Sequence, residues 1–195
     1  MPMVDIDFQQ DALVVAKSLL GIQIHWQERA GIVIETEAYR AEGDPACHTF
    51  FRKSAREFVA SQPPGALYIY LNYGMHWMLN CLTHCPENGP GFVLIRAIQP
   101  SSGLVAMRAI RKVAKDTALC SGPGKLTHAL GIDASLHGCR FSLLNPVRAQ
   151  TPKTIIADPR IGISRAIDFP WRFTDASATQ WLSKKPQQSN SKTNS

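Results

Sequence analysis

The stretch from Ile22 to Tyr39 constrains the fold more than any other. Ile22, Ile24 and Trp26 alternate with polar residues, Glu28 to Gly31 reads as a turn, and Ile32 to Tyr39 returns as the second strand of a hairpin. A period of two sends Ile32, Ile34, Thr36 and Ala38 to one face and Val33, Glu35, Glu37 and Tyr39 to the other. Two carboxylates therefore share a face with a tyrosine, roughly 7 Å from each other. Such a pair has two readings. It is either the solvated flank of a half-exposed strand or a general base in a polar cleft with Tyr39 as an aromatic wall.

The rest of the chain alternates helical and strand patterns. Asp7 is placed to cap a helix running to Leu20, and Gly43 to Gly65 reads as loop, punctuated by Asp44-Pro45 and Pro63-Pro64-Gly65. Leu67 to Leu71 and Met75 to Thr83 form a second hairpin with Tyr73 at the tip of an Asn72-Tyr73-Gly74 turn. Phe92 to Ile98 is a further strand, placing Phe92, Leu94, Arg96 and Ile98 on one face, where a lone Arg96 requires an anionic or hydrogen-bonding partner. Ser101 or Ser102 caps a helix to about Lys115, with Arg108, Arg111, Lys112 and Lys115 on one side and Ala106, Ala109, Ile110 and Val113 on the other. A short helix from Gly122 to Leu130 stops at Gly131, and Arg140 to Leu144, Ile155-Ile156 and Arg160 to Ile163 read as short strands. The expected fold is α+β: one domain over residues 1–182, a mainly antiparallel curved sheet with hairpins and flanking helices, and a disordered polar and basic tail at 183–195.

Charge is unevenly spread. Up to Asp44 there are eight carboxylates against three cations, a net −5; from Arg96 to Lys125 six cations face Asp116 alone, a net +5. A polyanion suits the later segment while the earlier one supplies carboxylate chemistry. No apolar run approaches the roughly 18 to 20 residues that span a bilayer, and Asp5, Asp7 and Asp11 sit where a signal peptide needs positive charge, so the expected location is cytoplasmic. Five cysteines at irregular spacing (Cys47, Cys81, Cys85, Cys120 and Cys139) argue for reduced thiols over a disulfide framework. His76, Cys81, His84 and Cys85 lack the spacing of a zinc site.

Other features carry two readings as well. Tyr39, Tyr68, Tyr70 and Tyr73 are either packing residues or stacking surfaces and a wedge for a nucleic acid. The cationic ridge on the later helix is either a solvated face or a phosphate-binding surface. Gly122-Pro123-Gly124-Lys125 fails as a nucleotide P-loop, since Leu126 follows the lysine and Leu119 stands where glycine belongs, yet a glycine turn beside Lys125 suits one backbone phosphate. His48, nine residues after Tyr39, falls near the mouth of the supposed cleft, whereas His25, His76, His84, His128 and His137 show no convergent spacing.

Taken in order, Gly31-Ile-Val-Ile-Glu-Thr-Glu-Ala-Tyr39, Asp44-Pro-Ala-Cys-His48, Pro63-Pro-Gly65, Tyr68-Ile-Tyr-Leu-Asn-Tyr-Gly-Met-His76 with Asn80, Leu94-Ile-Arg-Ala97, Cys120-Ser-Gly-Pro-Gly-Lys-Leu126, Arg160-Ile-Gly-Ile-Ser164 and Pro170-Trp-Arg-Phe173 resemble the alkyladenine (3-methyladenine) DNA glycosylase family. The likeness spans about Leu13 to Phe173. It implies a monofunctional glycosylase of base excision repair that flips a damaged purine from duplex DNA and hydrolyses its N-glycosidic bond, with no metal or cofactor, acting as a monomer. It further implies Glu37 as the base that activates water, oriented with that water by Arg96. Tyr39, His48, Tyr70 and Asn80 would then line the base pocket, Tyr73 and Met75 serve as the wedge, and Arg108, Arg111, Lys112 and Lys125 meet the DNA backbone. The chain departs from the family pattern at Glu57, Ala60, Ser61 and Gln62, and at Cys47 and Trp77, which implies an altered substrate range or reduced activity instead of a lost reaction. The alternatives are a noncatalytic nucleic-acid-binding protein on the same scaffold and a hydrolase of free nucleosides.

Overall fold

In a computed structural model that describes residues 2–182 and 184–186, the strands form one antiparallel sheet. The chain runs α1 (Ala12–Ser18), β1 (Ile22–Trp26), β2 (Arg29–Arg40), α2 (His48–Phe51), α3 (Lys53–Ser61), β3 (Leu67–Asn72), β4 (His76–Cys85), β5 (Gly89–Ser102), α4 (Leu104–Arg111), α5 (Pro123–Leu130), β6 (Val147–Arg148), β7 (Ile155–Asp158) and β8 (Arg172–Asp175). The expected α+β class is thus the one found. Most of the tail expected at 183–195 lies outside the described residues.

The path of the sheet is β3-β4-β5-β2-β1-β6. It branches at β2, whose first residues pair with β1 while Glu35, Thr36 and Glu37 pair with β8. The branch coincides with a double irregularity between β2 and β5. Val33 pairs with Ile98 and Glu35 with Ala97, so Ile34 is an extra residue in β2; Thr36 then pairs with Ile95, so Arg96 is an extra residue in β5. Strict alternation therefore fails on both strands. Val33 and Ala38 enter the main core together, Ile34 joins a separate cluster with Ala97 and Ala178, and Ile98 leaves the face of Arg96 for the main core. Bulges turn side chains that period two would send elsewhere.

The main core lies on the α1 side of the sheet, where Val15, Ala16 and Leu19 pack against Val33, Val93 and Ile95. Thr36 Oγ donates to the Ala16 carbonyl at 2.8 Å, fastening β2 to that helix. The helix itself begins at Ala12 instead of after Asp7. Asp11 accepts from the Leu13 amide as its cap, while Asp7 closes a turn on Gln9 and Gln10.

Further expectations are corrected. The 43–65 segment holds α2 and α3, because Ala55 and Phe58 have a second apolar cluster to bury against. Arg140 to Leu144 ends in a 3-10 turn, and Arg160 to Ile163 is loop instead of strand. α4 is shorter than expected, since Ser101 and Ser102 stay in β5 and Lys112 ends the helix in the left-handed region. Its inward face is Met107 alone; Ala109 and Ile110 are exposed, and Lys115 lies beyond the helix.

Candidate active site

Opposite the main core, β2, β3, β4 and β5 wall a cavity of about 860 Å³, well within the size of small-ligand sites. Tyr39, His48, Tyr70, Asn80 and Arg96 line it together, with Phe92 and Leu94 between them. Residues from Asn80 to Arg96 converge because β4 and β5 pair antiparallel, placing Asn80 opposite Leu94. His48 reaches the cavity from the start of α2, its Nδ1 3.2 Å from the Tyr68 hydroxyl and its ring 4.4 Å from that of Tyr70. Asn80 donates to the Tyr68 carbonyl at 3.1 Å, which fixes its amide. Arg52 lies over the Tyr70 ring at 5.3 Å.

Glu37 stands directly behind this wall and is fully buried. Its Oε2 accepts from the Tyr39 hydroxyl at 2.7 Å and from Arg96 NH1 at 3.1 Å, and its Oε1 accepts from the Ile161 amide at 2.7 Å. A solvated strand flank is thereby excluded for both glutamates, because Glu35 is equally buried and accepts from Arg96 Nε at 3.3 Å and Arg172 NH1 at 3.0 Å. Beside the polar cleft expected at Glu37, its bonded neighbours Tyr39, Arg96 and Ile161 face the cavity, and the carboxylate lies beneath them. Burial pushes the Glu35 acid up from its ordinary range, opposed by Arg96 and Arg172.

The protonation of the wall follows from burial. Desolvation, aided by the positive charge of Arg52, brings His48 down to about 4, so the ring is neutral at physiological pH. Burial first, and the Glu37 charge second, hold Tyr39 well above its usual value, and burial takes Tyr70 up to about 12. Both phenols keep their protons.

At the rim, Tyr73 tips the β3–β4 hairpin, 84% exposed, with φ 49° beside Gly74 at φ 68°. The Met75 amide donates to the Asn72 carbonyl, so two left-handed residues close the turn and thrust Tyr73 outward. Met75, 68% exposed, is in the same turn instead of opening β4 as expected.

The cationic ridge is a correction. Arg108 gives both Nε and NH2 to Asp116, at 2.8 and 2.9 Å, and Arg111 Nε donates to the Leu119 carbonyl at 3.2 Å. Arg108 is therefore already paired, and the four cations are not one helical row. Lys112 and Lys125 are exposed, Lys125 near Ser121 at the start of α5 and close to Pro123 on the cavity wall.

Sequence reasoning missed the residues that hold the wall up. Arg160, buried, donates to both oxygens of Asp44 at 2.6 and 2.8 Å and to the Ala38 carbonyl at 3.0 Å, and lies between the rings of Tyr39 and Trp171 at 4.5 and 5.1 Å. This clamp sets Tyr39 and presents the neighbouring Ile161 amide to Glu37. The available signal was an arginine beside apolar residues, Arg160 before Ile161 and Arg172 between Trp171 and Phe173, each requiring a buried anion.

An aromatic cavity backed by an arginine-held carboxylate, with a protruding tyrosine at its rim, has the size and lining to suit a planar ring and a carboxylate placed for hydrolytic chemistry. The family described as methylpurine-DNA glycosylase matches residues 6–179. Proteins bearing the name "Putative 3-methyladenine DNA glycosylase" are similar over most of the chain. One from Agrobacterium fabrum is 41% identical over 91% of this chain and 90% of its own, one from Rhizobium etli 43% over 91% and 86%, and one from Rhodopseudomonas palustris 41% over 85% and 81%. The chain belongs to the methylpurine-DNA glycosylase family and is a DNA glycosylase of base excision repair. Among the described residues, no helix is long and apolar enough to cross a membrane.

Proposed function

We propose that the protein, working as a monomer on duplex DNA in the cytoplasm, extrudes an alkylated purine into the cavity and that Glu37 activates the water that replaces it on the sugar. The observation that carries this reading is the Glu37 carboxylate, held by Arg96 and the Ile161 amide immediately behind the aromatic wall. Three donors converge on it, the Tyr39 hydroxyl, Arg96 NH1 and the Ile161 amide. For water to reach Oε2, the Tyr39 hydroxyl that bonds it must give way, between Tyr39 and Arg96 on the cavity wall. Glu37 takes a proton from that water as its oxygen bonds to C1′, and the C1′–N bond electrons leave with the base. Carboxylate charge also steadies the oxocarbenium-like sugar.

Tyr39, Tyr70 and His48 stack against the extruded base, Asn80 disfavours the amino group of guanine so that only a guanine whose glycosidic bond methylation has weakened is released, and Tyr73 with Met75 fills the gap in the duplex. The protonation states of the wall narrow the substrate. A neutral His48 and two high-pKa phenols offer no acid to a leaving base near pH 7. Purines that already carry positive charge, such as 3-methyladenine and 7-methylguanine, leave as neutral bases and need none. Hypoxanthine and ethenoadenine do need a proton. The test is base release from duplexes carrying each of the four lesions, followed by alkali cleavage. The two charged purines should be released faster than the two neutral ones, and absence of strand breaks on all four would contradict the reading.

A further inference from the structure

Behind the cavity, five ionic side chains join in a row. Asp158 pairs with Arg172 NH2 at 3.3 Å, and Arg172 NH1 donates to Glu35 Oε1 at 3.0 Å. Arg96 Nε donates to that same oxygen at 3.3 Å, and Arg96 NH1 to Glu37 Oε2 at 3.1 Å. The row starts in β7, crosses β8 and β2, and reaches the cavity through Arg96 of β5. A guanidinium is a rigid fork, so acceptors at Nε and at NH1 together fix both its position and its plane. Glu35 holds one prong and Glu37 the other.

The backbone is arranged for this grip. Arg96 is the extra residue of the β5 irregularity, next to Ala97, the register partner of Glu35. Without that bulge Arg96 would follow the regular pleat. Stability alone does not account for Glu35. Glu35 and Glu37 share the single Arg96 guanidinium, and burial already works against the charge of Glu35. Buried ion pairs seldom stabilise more than apolar packing does. Glu35 Oε2 also has no hydrogen-bond partner among the described residues, a cost that a purely structural role leaves without return.

We propose that Glu35, anchored by Arg172, is a positioning residue for base release: it fixes the plane of Arg96 so that NH1 meets Glu37 and the attacking water in the reactive geometry. The proposal rests on the reading of Glu37 and Arg96 given above. It assigns Glu35 no contact with DNA or water; its whole effect passes through Arg96.

That route makes a sharp test possible. Single-turnover base release from a 7-methylguanine duplex is measured for wild type, E35Q, R96Q and E35Q/R96Q, alongside affinity for a duplex carrying a stable abasic-site analogue. E35Q removes the charge and keeps the side-chain shape. It should slow release by about 10²-fold, the usual result of misplacing a reacting group by an ångström, with affinity within about twofold. In the R96Q background the same substitution should cost less than about threefold further, because residues acting as a unit are not additive. E35D, which restores the charge, should recover part of the rate. An E35Q rate within about threefold of wild type, or losses that multiply in the double variant, would overturn the proposal. Should E35Q fail to fold, R172K tests the other end of the grip: it keeps the charge but loses the fork, and an unchanged release rate there would equally overturn it. A wild type that releases no base contradicts the functional reading and this proposal together, whereas an active wild type matched by E35Q contradicts only the proposal.

Discussion

On one face of the β2–β5 pair, Val33, Ala38, Val93, Ile95 and Ile98 disappear into the apolar core against α1. On the other, the same two strands bury Glu35, Glu37 and Arg96, and draw in Arg172 and Arg160 from the far end of the chain. The first face is held by non-directional packing, in which many shapes of similar volume suffice. The second is held by directional bonds, each of which strands a buried charge if its partner goes. The proposed chemistry uses the second face, because fixed donors and acceptors are what a reacting water and a departing base require. The difference also explains why the strands are irregular: a regular pleat would send Ile34 and Ile98 to the wrong sides.

The largest contrast between the faces should appear in stability. R160M strands Asp44 without its partner and should lower unfolding free energy by about 3–5 kcal/mol in urea titrations, whereas I95V on the apolar face should cost about 0.5–1.5 kcal/mol. Equal losses would break the comparison. Next is the rim, where Tyr73 stands exposed. Y73G should weaken binding to lesion duplex by about 1–3 kcal/mol while leaving the free protein as stable or slightly more so, because glycine accepts the φ of 49° that tyrosine adopts under strain.

His48 ties the stability of the cavity wall to pH. Its pKa is about 4 in the folded protein against 6.5 unfolded, so the unfolded chain takes up the proton first. The stabilisation is fully present above 6.5 and declines as pH falls toward 4. H48Q should flatten that segment of the stability–pH curve, and an unchanged curve would contradict a buried neutral ring. The smallest effect is expected at Arg108, already committed to Asp116. R108A should barely alter the salt dependence of DNA binding, while K125A should lower the log–log slope by about 1.

Much of the cavity was legible in the sequence. Glu37 and Tyr39 are two apart on a strand and do point the same way, joined by a 2.7 Å hydrogen bond, and a tight turn does raise Tyr73. Local periodicity and turn chemistry suffice for such short-range relations. The paired bulges were not legible, because they arise where β2 exchanges β1 for β8 as its partner, a consequence of tertiary pairing. The Arg160–Asp44 clamp joins residues 116 positions apart, beyond the reach of any local pattern. The cationic ridge misled for a related reason: the spacing of Arg108 is helical, but Asp116 folds back from outside the helix to take it.

In the proposed mechanism the Glu37 carboxylate, and not binding alone, drives base release. Glu37→Gln keeps the shape and the acceptor for Arg96 but removes the base, so single-turnover release from a 7-methylguanine duplex at neutral pH is the direct test. The expected result is a loss of about 10²–10⁴-fold in rate with affinity for the abasic-site duplex preserved. A variant that releases base at the wild-type rate, or one that loses release only in proportion to lost DNA binding, would contradict it.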